Sequence, residues 1–599
     1  MLEMPRWMPW AFRESTRRRA LAPIREAFMT HWPIPRGTGG DIRLVRTNLP
    51  TARLDPRDCP LKRSSDARPL LAADVRAQES DGELQDFTLK VLMGALDLIE
   101  HDRKPVEEVI EQIRHTDGTF GRYRGRRAHP VLVEWSIEAV HRYLAAREAD
   151  QQARAAAGLP LTLPVRDRWV ASKGRRPVDS RGADTYEATA WGRRYAALDG
   201  TARDLWLMSF GAAKCDRPQA EKAVAAYVAA CGRPATGGWE SRYQPVPFEA
   251  LPYGRGAAPE RVRVVEFGCG DGRAVELLDW DRQEARRQFA EQGWPALARA
   301  LDDTRSQPGS SCVDCKALHG CAALPMSAGL LQIGSAAVLR PRRSVSVTDL
   351  RAYAECPAKY HATRQLKLRS AQPESAQVRR GRAVDGWLNE RHAVAPHQGC
   401  RGLPGPSDPS EWSAEGHRVS GREAEDGAAM LVQHSYVCPL NDLPPSEAVQ
   451  VQRQVVCYDQ ELDLVLIATP DLLHTRGGGW VWRETKTTGR RLYEGRSLMA
   501  SYPQLAFGVL LLAAGALGGD LTRARVELEL LHTDDLTLEE LDPSRPQVVA
   551  EARKVIAGLV RPWVEDRTFA AAPGRACRSC EARDWCVPGR THLATVEEP

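Results

Sequence analysis

The pattern of apolar and polar positions predicts a strand–turn–strand unit in the last third of the chain. The apolar run Leu464–Ala468 ends at Pro470-Asp471, and three glycines separate it from the run Trp480–Lys486. Short apolar runs bounded by turn residues favour buried strands, whereas the alternation in Arg525–Leu530 favours a strand with one buried face. The apolar stretch Leu498–Leu512 lies between these strands and is long enough for a helix.

The same order of patterns occurs earlier in the chain. Trp191–Phe210 reads as two strands around Asp199-Gly200, a helix follows at Gln219–Ala230, and a strand follows at Val262–Phe267. Helical stretches precede both units, at Val131–Arg147 and Trp387–Ala393. An order of elements that occurs twice predicts a duplicated unit.

Cysteines support the duplication, because each unit ends in the spacing C-x2-C-x5-C. The two triplets are Cys312, Cys315, Cys321 and Cys577, Cys580, Cys586. A Cys-Pro pair begins each unit, at Cys59 and at Cys356. We therefore predict two tandem α/β domains, at 41–325 and 344–590, each with a mixed sheet flanked by helices. An arm (1–40) rich in Pro, Trp and Arg, a linker (326–343) and a short tail (591–599) complete the chain.

Composition is that of an ordinary globular protein. The 599 residues are 43% hydrophobic and 27% charged, and the net charge of +5 is only mildly basic. No apolar run is long enough to cross a bilayer, and the first residues lack the pattern of a secretory signal. We expect a cytoplasmic protein without a membrane partner.

The residues around the second strand of the later unit, at 344–590, suggest metal chemistry. Residues two apart on a strand share a face, so Glu484 and Lys486 project together and Asp471 can meet them across a strand pair. Two carboxylates at one point bind Mg²⁺ or Mn²⁺, which polarises a phosphodiester and activates water. A lysine beside the ion can orient that water and offset developing charge. The alternative is an exposed strand with an incidental Glu–Lys pair.

The Pro-Asp…Glu-x-Lys motif and the cysteine frame together resemble the iron–sulfur PD-(D/E)xK nucleases, meaning AddB and RecB-type nuclease domains and CRISPR-adaptation exonucleases. The resemblance covers about 345–590 and begins at the helix that bears Cys356-Pro357. It implies that Asp471 and Glu484 bind metal, that Lys486 is the catalytic lysine and that Gln504 is a further active-site residue. It also implies an exonuclease-like activity on DNA, in DNA repair or antiviral defence.

Two positions depart from the family pattern. Asp385 stands where the family has a histidine, and it can still bind a metal ion. Gly508 stands where an aromatic residue is expected after Gln504, with Phe507 beside it.

Close-set thiols in a reducing compartment are most simply metal ligands. Cys356, Cys577, Cys580 and Cys586 supply the four thiolates that a [4Fe–4S] cluster or a zinc ion needs, and the resemblance favours the cluster. The matching early set is Cys59, Cys312, Cys315 and Cys321, for a second cluster or for zinc, with Cys215 and His319 as rival ligands. The isolated cysteines are otherwise interpreted as small buried hydrophobes: Cys215, Cys231, Cys269, Cys400, Cys438 and Cys457.

The early unit has lost its acids according to the sequence. Tyr195 and Ser209 stand at the predicted acid positions, although His129 keeps its glycine-led frame. We predict a carboxylate-free, inactive nuclease-like domain that binds DNA or a partner.

The sequence also allows two other interpretations. The glycines at 268, 270 and 272 resemble a methyltransferase cofactor loop, but Asp271-Gly272 suits a hairpin turn and the duplication predicts a hairpin. The whole chain could also be a non-catalytic DNA-binding scaffold that keeps the nuclease fold. Since the sequence contains no P-loop motif, unwinding of DNA would require a separate helicase or ATPase partner.

Overall fold

The computed structural model of the protein describes residues 32–72, 83–119, 126–174, 181–241, 244–252, 258–333, 342–368, 374–489, 492 and 495–597. In these residues the protein is a mixed α/β structure with helices packed on its sheets. Most of the predicted arm (1–40), part of the predicted linker (326–343) and Gly125 of the frame around His129 lie outside the described residues.

The N-terminal half, up to residue 325, contains the first set of elements. Its strands are β1 (Gly39–Gly40), β2 (Leu44–Thr47), β3 (Leu71–Ala72), β4 (Thr162–Pro164), β5 (Arg168–Gly174), β6 (Thr185–Thr189), β7 (Arg193–Ala197), β8 (Ala202–Ser209), β9 (Arg233–Ser241), β10 (Gln244–Ala250), β11 (Arg261–Gly268) and β12 (Ala274–Asp281). Its α-helices are α1 (Leu49–Arg53), α2 (Pro60–Asp66), α3 (Lys90–Glu100), α4 (Val106–His115), α5 (Pro130–Ala156), α6 (Gln219–Cys231), α7 (Arg282–Gln288) and α8 (Trp294–Asp302).

The C-terminal half contains the second set. Its strands are β13 (Met326–Ser327), β14 (Arg343–Val345), β15 (Glu411–Ala414), β16 (His417–Ser420), β17 (Val449–Val451), β18 (Val455–Asp459), β19 (Leu464–Ala468), β20 (Leu472–Arg476), β21 (Gly479–Thr487), β22 (Arg525–Leu531) and β23 (Leu536–Leu541). Its α-helices are α9 (Val347–Glu355), α10 (Pro357–Tyr360), α11 (Ala376–His392), α12 (Arg422–Val437), α13 (Leu498–Ser501), α14 (Pro503–Ala513), α15 (Pro546–Glu565) and α16 (Val587–Glu597).

Each half has a main sheet of the same topology. The strand order is β4-β7-β8-β11-β12 in the N-terminal half and β17-β20-β21-β22-β23 in the C-terminal half. One pair is parallel in each, β8 with β11 and β21 with β22, and the other neighbours are antiparallel. The parallel pair stands at the same place in both sheets, as the predicted duplication of one α/β unit requires.

One buried helix follows the same strand in both halves. A parallel pair requires a crossover connection, and α6 and α14 provide it. Residues 505–512 of α14 are all buried, as are residues 223–230 of α6. A helix that is apolar on every side is stable only inside a core, and α14 packs against the strands that carry the predicted site.

The glycine motif at 268–272 forms a hairpin. β11 and β12 are antiparallel, and the Gly268 N–H donates to the Arg273 carbonyl at 3.0 Å across the turn. Gly272 has a φ of 70°, a conformation that glycine adopts without strain. A dinucleotide-type cofactor loop requires a helix after the glycines, and β12 stands there instead, so the methyltransferase interpretation is wrong.

The two halves interlock through their cysteine-rich ends. Ala582 and Trp585 pack in one apolar cluster with Trp135 of α5, and the Trp585 indole N–H donates to the Glu138 carboxylate. In the opposite direction, the first cysteine triplet packs against β18 and β19. Each triplet therefore lies against the other half of the molecule. No helix in the described part of the chain is long and apolar enough to cross a membrane.

Candidate active site and cysteine centres

Two neighbouring strands of the C-terminal main sheet bring the predicted acidic residues together. Asp471 directly precedes β20, and the antiparallel register with β21, extended by one residue, sets it opposite Glu484. Asp471 Oδ2 accepts hydrogen bonds from the Thr485 N–H at 2.7 Å and from Lys486 Nζ at 3.0 Å. Lys486 Nζ also donates to Glu484 Oε2 at 3.1 Å. The three side chains of the motif therefore meet at one point.

A third carboxylate faces this point from α11. Gln452 Nε2 lies 3.2 Å from Asp385 Oδ1 and 3.3 Å from Asp471 Oδ1, so one amide bridges the two aspartates. Gln452 directly follows β17 and has a φ of 49°, which is uncommon for a residue other than glycine. Such conformations persist where the surrounding structure enforces them and are frequent at functional sites. The sequence alone gives no signal for Gln452.

Burial and mutual repulsion raise the pKa values of two of these carboxyl groups. Desolvation raises the pKa of Glu484 to about 7, with the Asp471 charge adding to the effect and Lys486 opposing it. Desolvation and the same Asp471 charge raise the pKa of Asp385 to about 6. Burial alone would lower the pKa of Lys486, but Asp471 and Glu484 hold it above its ordinary value. Carboxylates whose neutral forms are favoured in this way gain most from a nearby cation.

The oxygen atoms at this point fit a divalent cation. The Lys486 ammonium lies beside two carboxylates, those of Asp471 and Glu484. Its Nζ also donates to the Thr485 carbonyl at 2.9 Å. Carboxylate and carbonyl oxygens are the ligands that Mg²⁺ and Mn²⁺ prefer. Asp471, Glu484 and Asp385 are the residues that would hold the ion.

The departure at Gly508 has a structural reason. A Cβ at this position would lie 3.1 Å from the indole of Trp482, which fills the space where an aromatic side chain is expected. The Trp482 N–H donates to Glu484 Oε1 at 3.1 Å. An aromatic ring therefore still contacts the site, but it comes from β21. Gln504 is the second residue of α14, and its side-chain oxygen is buried without a hydrogen-bond partner.

Metal binding at these carboxylates is expected to tighten as the pH rises from about 5.5 to about 7.5. A cation competes with protons, and Glu484 and Asp385 bind a proton below pKa values of about 7 and about 6. Each proton displaced changes the affinity by about tenfold per pH unit. Isothermal titration of the protein with Mn²⁺ at three pH values measures the slope. Glu484→Gln removes one titrating group and should flatten it, whereas a pH-independent wild-type affinity would contradict the assignment.

The N-terminal half carries different residues at the equivalent positions. Aligning the β7–β8 hairpin with β20–β21 by register sets Gly192 at the position of Asp471 and Leu207 at that of Glu484. The prediction that Tyr195 stands at an acid position is wrong. The early hairpin has a four-residue loop between Ala197 and Ala202, while the late one has two residues, so alignment on the turn shifts the register.

Ser209 occupies the position of Lys486, and its hydroxyl donates to the buried Glu266 of β11. The position is therefore not free of carboxylates, contrary to the sequence prediction. Arg217 Nε lies 2.6 Å from Glu266 Oε2, and Arg217 Nη1 lies 2.7 Å from Glu221 Oε2. The arginine compensates the charge that a metal ion would otherwise neutralise. His129 does not join this group: it caps the N-terminus of α5, and its Nε2 lies 3.0 Å from the Phe569 carbonyl.

The four late cysteines line one cavity. Cys356 at the end of α9 faces Cys577, Cys580 and Cys586 across it, although more than two hundred residues of sequence separate them. Backbone N–H groups of residues 572 and 574 point at the sulfurs of Cys356 and Cys577, both at 3.4 Å. Burial raises the pKa of Cys580 to about 11, so its thiolate is stable there only beside a cation. Four thiolates with N–H donors fit a [4Fe–4S] cluster.

The early cysteines repeat this arrangement. The N–H of Gln307 lies 3.3 Å from Cys59 Sγ, and the N–H of Gly309 lies 3.4 Å from Cys312 Sγ. The donors precede the triplet by five and three residues, as in the late site. Cys59, Cys312, Cys315 and Cys321 share one cluster, whereas Cys215 is exposed and His319 packs on the Tyr458 ring. This arrangement favours Cys59 over Cys215 and His319 as the fourth ligand.

One group of residues was missed by the sequence reasoning. Cys400 and Cys438, interpreted as isolated buried hydrophobes, lie with His392 and His434 in a single buried cluster. The interpretation as isolated residues is wrong for these two cysteines. The spacing of His434 and Cys438, four residues apart, is one that metal sites use and could have indicated the cluster.

Part of the chain matches a known protein family. Residues 344–587 match the sequence model of the PD-(D/E)XK nuclease superfamily. The matched range contains the three converging carboxylates, Lys486 and all four late cysteines. No curated protein matches the chain.

Proposed function

We propose, from the premise that residues 344–587 form a nuclease domain of the PD-(D/E)XK superfamily, that this protein hydrolyses phosphodiester bonds of DNA with the help of Mg²⁺ or Mn²⁺. The observation that supports this most directly is the convergence of Asp471 and Glu484 on Lys486, with Asp385 facing them. PD-(D/E)XK nucleases use divalent metals, and the carboxylates present are suited to bind one.

Each side chain has a distinct role in this proposal. A divalent cation held by Asp471, Glu484 and Asp385 would polarise the phosphate and lower the pKa of the attacking water. Lys486 stays protonated between the acids, so it can orient the water and offset negative charge on the phosphate. Gln452 holds Asp385 and Asp471 at a fixed separation. Gln504 has a free buried oxygen that can accept a hydrogen bond.

The more specific parts of the proposal rest on the resemblance to the iron–sulfur PD-(D/E)xK nucleases. We propose an exonuclease-like enzyme that acts in DNA processing or antiviral defence in the cytoplasm and works with a separate helicase or ATPase. The late cysteines would hold a [4Fe–4S] cluster, and the early ones a second cluster or a zinc ion. The N-terminal half would serve as a non-catalytic platform for DNA or for the partner.

The test is a cleavage assay with anaerobically purified full-length protein. The substrates are end-labelled linear duplex DNA, single-stranded DNA, closed circular plasmid and RNA of matched sequence. We expect degradation of linear DNA with Mg²⁺ or Mn²⁺, none with EDTA, and an intact closed circle. A nicked or linearised circle would indicate an endonuclease instead. Binding of DNA without cleavage of any substrate would favour the non-catalytic scaffold.

Glu266→Gln in the N-terminal half is expected to leave the rate of DNA cleavage within about twofold of wild type. Glu266 is paired with Arg217 and lies in the half without the Asp-Glu-Lys set, so it has no catalytic role in this proposal. The same assay measures the rate, and a thermal melt confirms that the variant folds. If the folded variant has lost most of its activity, the proposal has placed the active site in the wrong half of the molecule.

A further inference from the structure

A buried cluster of two histidines and two cysteines lies behind the candidate active site. His392 ends α11, Cys400 lies in the following loop, His434 is in the last turn of α12, and Cys438 directly follows that helix. All four are at most 4% exposed, and they are enclosed by apolar side chains. One ligand atom from each lies within 4.8 Å of the others.

The distances match the edges of a coordination tetrahedron. His392 Nε2 lies 3.3 Å from Cys400 Sγ and 3.6 Å from Cys438 Sγ. A tetrahedral ion with ordinary zinc–nitrogen and zinc–sulfur bond lengths would separate such a pair by about 3.5 Å. His434 Nε2 is buried and has no hydrogen-bond partner, which leaves its lone pair available.

We propose that His392, Cys400, His434 and Cys438 bind a single zinc ion. The Cys2His2 donor set is typical of structural zinc, and four protein ligands leave no open position for chemistry. An iron–sulfur cluster would place several metal and sulfide atoms among the ligands and would hold them farther apart than this group allows. The proposal does not depend on nuclease activity.

The surroundings of His434 fit a metal-bound imidazole. Its Nδ1 lies 2.7 Å from Glu529 Oε1, and a carboxylate on the second nitrogen orients metal-ligating histidines. Glu529 Oε2 also accepts a hydrogen bond from the Thr485 hydroxyl at 3.0 Å. Thr485 lies between Glu484 and Lys486 on β21, so the zinc site supports the candidate catalytic strand from its other face.

A second connection runs through α11. His392 lies seven residues after Asp385, which is about two helical turns along the same helix. The zinc ion would therefore fix the end of the helix that presents Asp385 to the other acids. Loss of the ion should loosen both the helix and the strand that form the candidate active site.

The test counts zinc in the purified full-length protein and locates it. Crystals of the wild-type protein, measured above and below the zinc absorption edge, should show an anomalous peak within bonding distance of the four side chains. Cys400→Ala should lower the zinc content by about one ion per chain, and Cys457→Ala, which removes a buried cysteine outside the cluster, should not.

Replacing the zinc ion with Co²⁺ provides an independent, spectroscopic test. After exchange with Co²⁺, the wild-type protein should show the visible absorption of tetrahedral cobalt with thiolate ligands. Cys400→Ala should lose the part of this absorption that comes from the His392–Cys438 site. Three results would overturn the proposal: no anomalous peak at the cluster, an iron signal there, or a Cys400–Cys438 disulfide in the wild-type protein. The crystal measurement decides the question even if Cys400→Ala fails to fold.

Discussion

Replacing Glu484 with Gln is expected to slow DNA cleavage by at least about 100-fold without unfolding the protein. Glu484 is buried and shares Lys486 with Asp471, and a metal ion at this point would draw it into the charged form, which glutamine cannot adopt. Glutamine keeps the shape of the side chain and can still accept the Trp482 N–H. Initial rates on linear DNA at saturating Mn²⁺ measure the loss, and a thermal melt shows whether the fold is intact.

The matched control is Glu539→Gln on β23. Glu539 belongs to the same sheet but is exposed, and its replacement should leave the rate within about twofold of wild type. Titration with Mn²⁺ separates two causes of a loss, because a missing metal ligand weakens metal binding and a purely structural change lowers the melting temperature. Cleavage by folded Glu484→Gln at the wild-type rate would refute the site.

The sequence predicts the main sheet because its strands are defined by local pattern. The apolar run at Leu464–Ala468 and the alternation at Arg525–Leu530 are both strands in the structure, and the apolar stretch after the Glu-x-Lys motif contains the buried helix α14. The duplication is visible for the same reason, since two copies of a local pattern need no knowledge of tertiary contacts. The meeting of Asp471 with Glu484 follows from strand pairing across a short turn.

The features that the sequence misses depend on contacts that local pattern does not encode. Gln452 bridges two aspartates from a left-handed backbone conformation that its local sequence does not indicate. His392 and Cys438 meet only when α11 and α12 pack together. The early acid positions were misassigned because two hairpins of one fold have turns of different length. In each case a tertiary or register constraint decides the outcome, and the spacing of His434 and Cys438 is the one local sign of it.

Replacing Cys580 with Ser is expected to remove the iron of the late site, about four ions per chain, together with the brown colour that this site contributes to anaerobically purified protein, and to lower the melting temperature by roughly 10 °C. The late cysteines close a loop of more than two hundred residues, and metal bound only by the folded state contributes directly to stability. A loss of a few kcal/mol shifts the melting temperature of a domain of this size by about that amount. Absorption spectra, iron analysis and calorimetry measure the three effects.

The control for this substitution is Cys215→Ser, which removes an exposed cysteine that is not part of either cysteine cluster. It should leave the iron content, the zinc content and the melting temperature unchanged, and it also tests the rival ligand of the early site.

The late site lies against α5 of the other half. Cys580→Ser should therefore also loosen the contact between Trp585 and Glu138 and make the junction between the halves more sensitive to limited proteolysis. Native protein that contains zinc but no iron would contradict the cluster. An iron content in Cys580→Ser equal to that of the wild type would contradict the assignment of its ligands, because a [4Fe–4S] cluster held by three thiolates should be lost far more readily than one held by four.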